Sequence, residues 1–188
     1  MKTPYDILLE YSPKNEQETL DKALMLEFIK RNSDYLLRSN LTAHLTSSAF
    51  VVNHDMTKVV FAFHHIYQSW AWVGGHNDGN PNSLEVAIKE AKEETGLTSI
   101  HPFTEDLFTI DVIYVPNHIK KGSYVPDHLH LNMTYLLVAD EDEVLSHIPE
   151  EHADIRWFSI DEVFDYVFEE RMKPVYQKAF DEMKKRRA

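Results

Sequence analysis

Apolar residues in the first quarter of the chain recur at helical spacing. Between Glu16 and Arg31, Leu20, Ala23, Leu24 and Phe28 share one side of a helix, and a short helical turn through Tyr35–Arg38 is expected to follow. From Leu41 the pattern changes to β-branched and aromatic residues. HLTSSAFVVN and KVVFAFHH read as neighbouring strands, and the HDMT between them reads as a hairpin turn in which Asp55 supplies local hydrogen bonds. The aromatic run YQSWAWV leads into GGHNDGNPNS, rich in turn formers, and then into a helix from about Ser83 to Thr95 that Gly96 stops as a C-cap. LFTIDVIYV and HLHLNMTYLLVA predict strands, and ADIRWF a short one. SIDEVFDYV and VYQKAFDEMKKRR predict closing helices, with Ser159 an N-cap. NHIKKGSYVP, residues 117–126, reads as an exposed loop. These elements combine as an α/β fold in which a mixed central β-sheet lies between helices, an α/β/α arrangement.

Composition narrows the classes of function. With 188 residues, 43% of them hydrophobic, the chain suits one domain with a full core. It has no cysteine, which excludes disulfides, thiolate metal sites and a cysteine nucleophile, and fits a cytoplasmic protein. No run approaches the roughly 18 apolar residues of a membrane span, and the N-terminus has no signal-like apolar stretch. The formal charge of -12 repels nucleic acid and anionic membranes, so neither is expected as a partner. A small anionic substrate would need a metal or local cations to offset that field.

The helix after the glycines carries the candidate chemistry. At about 100° per residue, Leu84, Ala87, Ile88, Ala91 and Thr95 form a narrow apolar stripe, and Glu90, Glu93 and Glu94 gather on a neighbouring face. Like charges at i,i+3 and i,i+4 destabilise a helix by roughly 0.2 to 0.5 kcal/mol per pair, and a bound cation would compensate. Carboxylates converging in this way are the hard oxygen ligands of Mg²⁺ or Mn²⁺. The plain alternative is a solvated acidic face. Against it stands the joint spacing of Gly75, Glu90, Glu93, Glu94 and Gly96, which chance would supply in about three of 10,000 chains of this length.

The segment GGHNDGNPNSLEVAIKEAKEETGL resembles the Nudix box, G-x5-E-x7-R-E-U-x-E-E-x-G-U with U aliphatic, and aligns without a gap from Gly75 to Leu97. AHLTSSAFVVN, HLHLNMTYLL and DIRWFSIDEV resemble the strands of a Nudix domain, so the likeness runs from about Leu41 to Val163. The GGH-x-D-G wording is similar to that of a bacterial subgroup. The resemblance implies a Nudix fold over residues 41–188, with residues 1–40 a helical extension packed on it. It also implies Mg²⁺ or Mn²⁺ held by Glu90, Glu93, Glu94 and the backbone carbonyl of Gly75, with Glu93 and Glu94 acting in catalysis. A general base on a loop before the last strand would be Glu151, with Glu150 equally placed. Two positions depart from the box. Pro81 replaces its first acidic residue and Lys89 its arginine, a pair that in the family steadies the loop against the helix. Glu85, four residues before Lys89, is the expected substitute partner.

Other residues are candidates for substrate contact. His128, His130 and Asn132 alternate along one strand opposite Leu129, Leu131 and Met133, and face either the cleft or solvent. A metal-ligand role for that histidine pair ranks behind both. His76 and Asp78, in the loop after Gly75, are either structural or substrate contacts. Trp70, Trp72 and Tyr67 are core aromatics, or one of them stacks on a nucleobase. Lys120 and Lys121 could meet phosphate, whereas the terminal KKRR reads as a solvated helix end. The expected activity is metal-dependent hydrolysis of a phosphoanhydride bond in a nucleoside diphosphate linked to another moiety. The alternative, prompted by Pro81 and Lys89, is a Nudix-fold sensor that binds a nucleotide or sugar phosphate and leaves it intact. A diphosphate isomerase would use the same metal cage, but the absence of cysteine speaks against it. The partner is a small molecule, and a homodimer is compatible with such a domain.

Overall fold

Strand β1 (Ala43–Val52) is the spine of the sheet, with all ten of its residues buried. Its two-residue alternation sends Ala43, Leu45, Ala49 and Val51 to one core and Phe50 and Val52 to another. The computed structural model describes residues 2–66, 68–120, 122–149 and 152–187. After the turn at His54–Thr57, where the Asp55 carboxylate accepts from the Thr57 amide and hydroxyl, the chain returns as β2 (Lys58–His64). β2 pairs antiparallel with β3 (Ser69–Ala71), and β4 (Val73–His76) pairs antiparallel with β1.

Further along the chain come β5 (His101–Pro102), β6 (Thr109–Val115), a hairpin of β7 (His118–Lys120) and β8 (Ser123–Val125), β9 (His128–Val138) and β10 (His152–Ser159). β9 runs parallel to β1 along its whole length, from Ala43 beside Leu129 to Val52 beside Val138, and β10 lies antiparallel on β2. The result is a mixed, eight-stranded sheet in the order β10-β2-β1-β9-β5, with β3, β4 and β6 paired to β2, β1 and β9.

Helices cover both faces. Leu8 of α1 (Pro4–Glu10), Met25 and Ile29 of α2 (Glu16–Arg31), and Ala87 and Ala91 of α3 (Ser83–Thr95) close on Leu45, Leu131 and Met133. On the other face Tyr176, Phe180 and Met183 of α4 (Lys173–Arg187) close on Phe50, Val52 and Phe61. Each fully buried Leu, Met or Phe among them contributes roughly 1.5–3 kcal/mol, and each alanine methyl less. The α/β/α expectation holds. α4 does not reach the far end of its face, however, where β1 presents His44, Thr46 and Ser48 instead of Phe50 and Val52. That uncovered polar end becomes a cavity. Among the described residues, no helix is long and apolar enough to cross a membrane.

Several local expectations need correction. α2 has its predicted limits but a different buried face: Leu20 is 64% and Leu24 43% exposed, while Glu18, Met25 and Ile29 are buried. Polar anchors turn it, because the Glu18 carboxylate accepts from Tyr11 Oη and the Lys14 amide and pairs with Lys178, while Asp21 accepts from the Val112 amide. Residues 35–38 form turns rather than a helix, where Asn32 and Asn40 side chains compete for local hydrogen bonds. SIDEVFDYV holds only a 3₁₀ turn at Val163–Asp165, and Ser159 Oγ accepts from the Asp161 amide in a local turn instead of capping an α-helix. His118–Lys120 and Ser123–Val125, expected as loop, pair as the antiparallel strands β7 and β8.

Candidate active site

α3 begins at Asn82, whose side chain accepts from the Glu85 amide, and ends at Gly96, whose φ of 71° is left-handed and suits glycine. The helix buries Val86, Ala87, Ala91 and Thr95, and leaves Leu84 and Ile88 half-buried. This orientation treats the three glutamates differently. The side chain of Glu94 is 6% exposed, that of Glu90 23% and that of Glu93 51%.

Glu94 Oε1 accepts from the Gly74 amide at 2.8 Å, and its Oε2 lies 3.2 Å from Nε2 of His152. Burial raises the pKa of this carboxyl, opposed by His152 and the Gly74 hydrogen bond. Glu90 lies directly over Gly75, so that a Cβ at residue 75 would run into its carboxylate. The Lys89 ammonium bridges Glu90 at 3.0 Å and Glu93 at 2.9 Å, and Glu93 followed by Glu90 raises its pKa. The expected Glu85–Lys89 link is therefore replaced by pairing with the acidic face itself. The glycine cradle under Glu90 and a cation already drawn between two carboxylates fit a divalent ion held by oxygen ligands.

The loop bearing Pro81 is steadied by other means. Asn77 Oδ1 accepts from Ser47 Oγ, Asn77 Nδ2 donates to the Asn80 carbonyl, and Asn80 Oδ1 accepts from the Asn82 amide. Asp78 receives Nε and Nη2 of Arg38 at 2.7 and 2.6 Å. This bidentate pair ties the loop to residues before β1.

Strand register builds another wall. His44 on β1 lies beside His130 on β9, Thr46 lies between Asn132 on β9 and His76 on β4, and all point to one face. Ring centroids of His44, His76 and His130 are separated by 5.0, 5.1 and 4.9 Å, and His128 lies 5.0 Å from both His44 and His130. Burial lowers the pKa of all three: His76 to about 3, His130 well below its ordinary value, and His44 in the same direction. Burial thus disfavours the charged form of each ring. Asn132 is held by its surroundings, accepting from Thr46 and Ser48 hydroxyls at 2.8 Å each and donating to Thr134 Oγ1 at 2.9 Å.

A cavity of about 530 Å³ joins the two walls. It is lined by Gly75, His76, Asp78, Glu90, Glu94, His128, His130 and Asn132 among the predicted residues, so the polar side of β9 faces the cleft and not bulk solvent. Glu93 is not among the lining residues. Trp72 is on the cavity wall, whereas Trp70 packs on Phe158 in the core and Tyr67 lies outside the described residues. Lys120 lines the cavity from the β7–β8 hairpin, together with Arg38 and Arg171. Lys121, Glu150 and Glu151 lie outside the described residues. His44 and His152 escaped the sequence reading. Strand alternation with His130 offered a signal for the first only once the β1–β9 register is known, and nothing local marks the second.

A helix-flanked mixed sheet that brings an acidic helix and a glycine-led strand to one cavity defines the class of protein. The model of the NUDIX domain matches residues 43–179, and the chain belongs to the Nudix hydrolase family. It is 25% identical over 145 residues to a probable DHNTP pyrophosphohydrolase of Lactococcus lactis subsp. cremoris, covering 77% of this chain and 85% of that protein. It is 29% identical over 108 residues to the asymmetrical bis(5'-nucleosyl)-tetraphosphatase of Rattus norvegicus, covering 57% of this chain and 67% of that one. Among solved structures, a NUDIX-family hydrolase from Clostridium perfringens superposes with a TM-score of 0.54 at 22% identity, over 73% of this chain and 96% of the other. This last likeness supports the fold.

Proposed function

We propose that this chain hydrolyses a phosphoanhydride bond in a nucleoside diphosphate linked to another moiety, with Mg²⁺ or Mn²⁺ held by Glu90, Glu93, Glu94 and the Gly75 carbonyl. The carrying observation is the seat of Glu90 on Gly75 at the cavity edge, a contact that only glycine permits. The ion would supply charge neutralisation at phosphorus and a water of lowered pKa. His152 orients Glu94, and Glu151, its neighbour in sequence, is the candidate base. Lys120 offsets the negative field around a phosphate, Arg38 and Arg171 stand beside it in ion pairs with Asp78 and Glu169, and Trp72 offers a face to a base. His76, Asp78, His128, His130 and Asn132 shape the substrate's seat, with Asp78 acting through Arg38 and Asn132 through its hydroxyl network.

The relatives named for DHNTP and for bis(5'-nucleosyl) tetraphosphates guide the choice of assay. The purified chain would be incubated with dihydroneopterin triphosphate, dinucleoside polyphosphates, nucleotide sugars and nucleoside triphosphates, with Mg²⁺, Mn²⁺ or chelator. Metal-dependent release of two phosphorylated fragments from one class is expected. The sensor reading has one observation in its favour, the Lys89 ammonium already paired with two of the proposed ligands. Ligand binding with no turnover at any metal concentration would establish that reading and overturn the hydrolase.

A further inference from the structure

Unlike the carboxylates of α3, the imidazoles of the β-sheet wall have no part in the metal chemistry proposed above. Among the described residues, His44, His76 and His130 each offer a ligand atom such that all lie within 4.8 Å of one another. They come from β1, β4 and β9, in which β1 pairs with both of the others.

The hydrogen bonding of His44 points the same way. Its Nδ1 lies 3.0 Å from the Asn40 carbonyl, which can only accept, so Nδ1 carries the proton and Nε2 presents a lone pair. That Nε2 is buried and has no hydrogen-bond partner, in a residue only 4% exposed. A buried acceptor left without a donor requires an explanation, and an imidazole whose other nitrogen is fixed by a carbonyl is the usual posture of a metal-ligating histidine. His128 repeats the pattern. Its Nδ1 donates to the Pro126 carbonyl at 2.8 Å, leaving Nε2 as an acceptor 3.2 Å from His130 Nε2.

We propose that His44, His76 and His130 form a second metal site, distinct from the α3 carboxylates, that takes a borderline late transition ion such as Zn²⁺, with His128 as a reserve fourth ligand. Bonds of about 2.1 Å put two tetrahedral ligands about 3.4 Å apart, so closing on an ion requires movements on the order of an ångström. Imidazole donors select this class of ion over Mg²⁺, which the carboxylates suit. One cavity then holds a hard ion on its helical wall and a borderline ion on its sheet wall.

The test uses the untagged, full-length, metal-free chain titrated with Co²⁺ and followed by ligand-field absorption. Saturation of the imidazole-bound Co²⁺ absorption at one ion per chain is expected, with displacement by Zn²⁺ and none by Mg²⁺, which competes only at the carboxylates. The spectrum should persist in Glu90→Gln/Glu93→Gln, whereas His44→Ala and His76→Ala should each weaken affinity by more than the roughly 10–100-fold that loss of a ligand's supporting partner costs. Absorption that vanishes with the glutamine pair and survives both histidine changes would overturn the proposal. X-ray absorption of the wild-type zinc adduct covers any variant that does not fold: imidazole nitrogens in the shell support the site, and an oxygen-only shell refutes it. A hydrolase without this site would still turn over substrate in Mg²⁺ while leaving Co²⁺ unbound by histidine, so the two proposals fail separately.

Discussion

The two polar walls of the cavity are assembled by different geometries. Glu90, Glu93 and Glu94 come from one helix, where spacing along the sequence is spacing in space. His44, His76 and His130 come from three strands, and nothing in the chain brings them together except the register of β1 with β9 and β4. Their chemistry differs as well. The helical wall concentrates negative charge and meets it with Lys89, whereas burial in the sheet wall disfavours charge on its imidazoles. The largest test of this contrast is on the helix. Glu94→Gln and Glu90→Gln should each lower kcat/KM at saturating Mg²⁺ by more than the roughly 10–100-fold that loss of a ligand's supporting partner costs, and Glu93→Gln, at the more exposed carboxylate, by less. Equal losses at all three would show that the carboxylates are interchangeable and the exposure gradient has no consequence.

Gly75→Ala probes the same wall through the backbone. The added methyl would have to displace the Glu90 carboxylate, and overpacking of this kind costs about 1–3 kcal/mol. A lower thermal midpoint together with weaker Mg²⁺ affinity is expected. A variant with wild-type Mg²⁺ affinity would remove the cradle from the argument.

How much of this was legible in the sequence follows from the same contrast. The limits of α3, the cap at Gly96 and the paired strands β1 and β2 were readable because each is fixed by neighbours in sequence. The buried face of α2 was not, since Glu18 and Asp21 turn the helix through contacts with Lys178 and Val112, far along the chain. Nor was the end of SIDEVFDYV, where one turn of chain is too short to sustain a helix. Of the cavity's lining, Glu90, Gly75 and His130 were singled out from the sequence, while His44, and His152 behind Glu94, were not. A lone histidine in an apolar strand has no local pattern, and His152 gains its meaning only from Glu94, 58 positions earlier in the chain.

The sheet wall makes its own prediction with pH. A histidine whose pKa is depressed on folding binds fewer protons in the folded state than in the unfolded chain. Between its ordinary value near 6.5 and the folded value of about 3 for His76, stability must therefore fall as pH falls. His130 and His44 add to the same trend. Thermal midpoints taken across this window should decline toward acid in the wild type and more gently in His130→Leu. Parallel curves would mean that the cluster does not govern the acid limb.

The smallest effect concerns Lys89, and it bears on whether the carboxylate wall is tuned for catalysis or for sensing. This residue is more than half exposed, and an exposed i,i+4 pair is worth about 0.3–0.5 kcal/mol, so Lys89→Gln should barely move the thermal midpoint. Its effect on the ion is different in kind. Removing the ammonium leaves Glu90 and Glu93 facing each other without a counter-charge, a repulsion that a divalent ion relieves. Mg²⁺ affinity should therefore rise a few-fold while kcat at saturating Mg²⁺ is retained. If affinity falls instead, the ammonium positions the ligands and does not compete with the ion. If turnover first emerges in the variant, Lys89 is the feature that holds the native chain in a binding role.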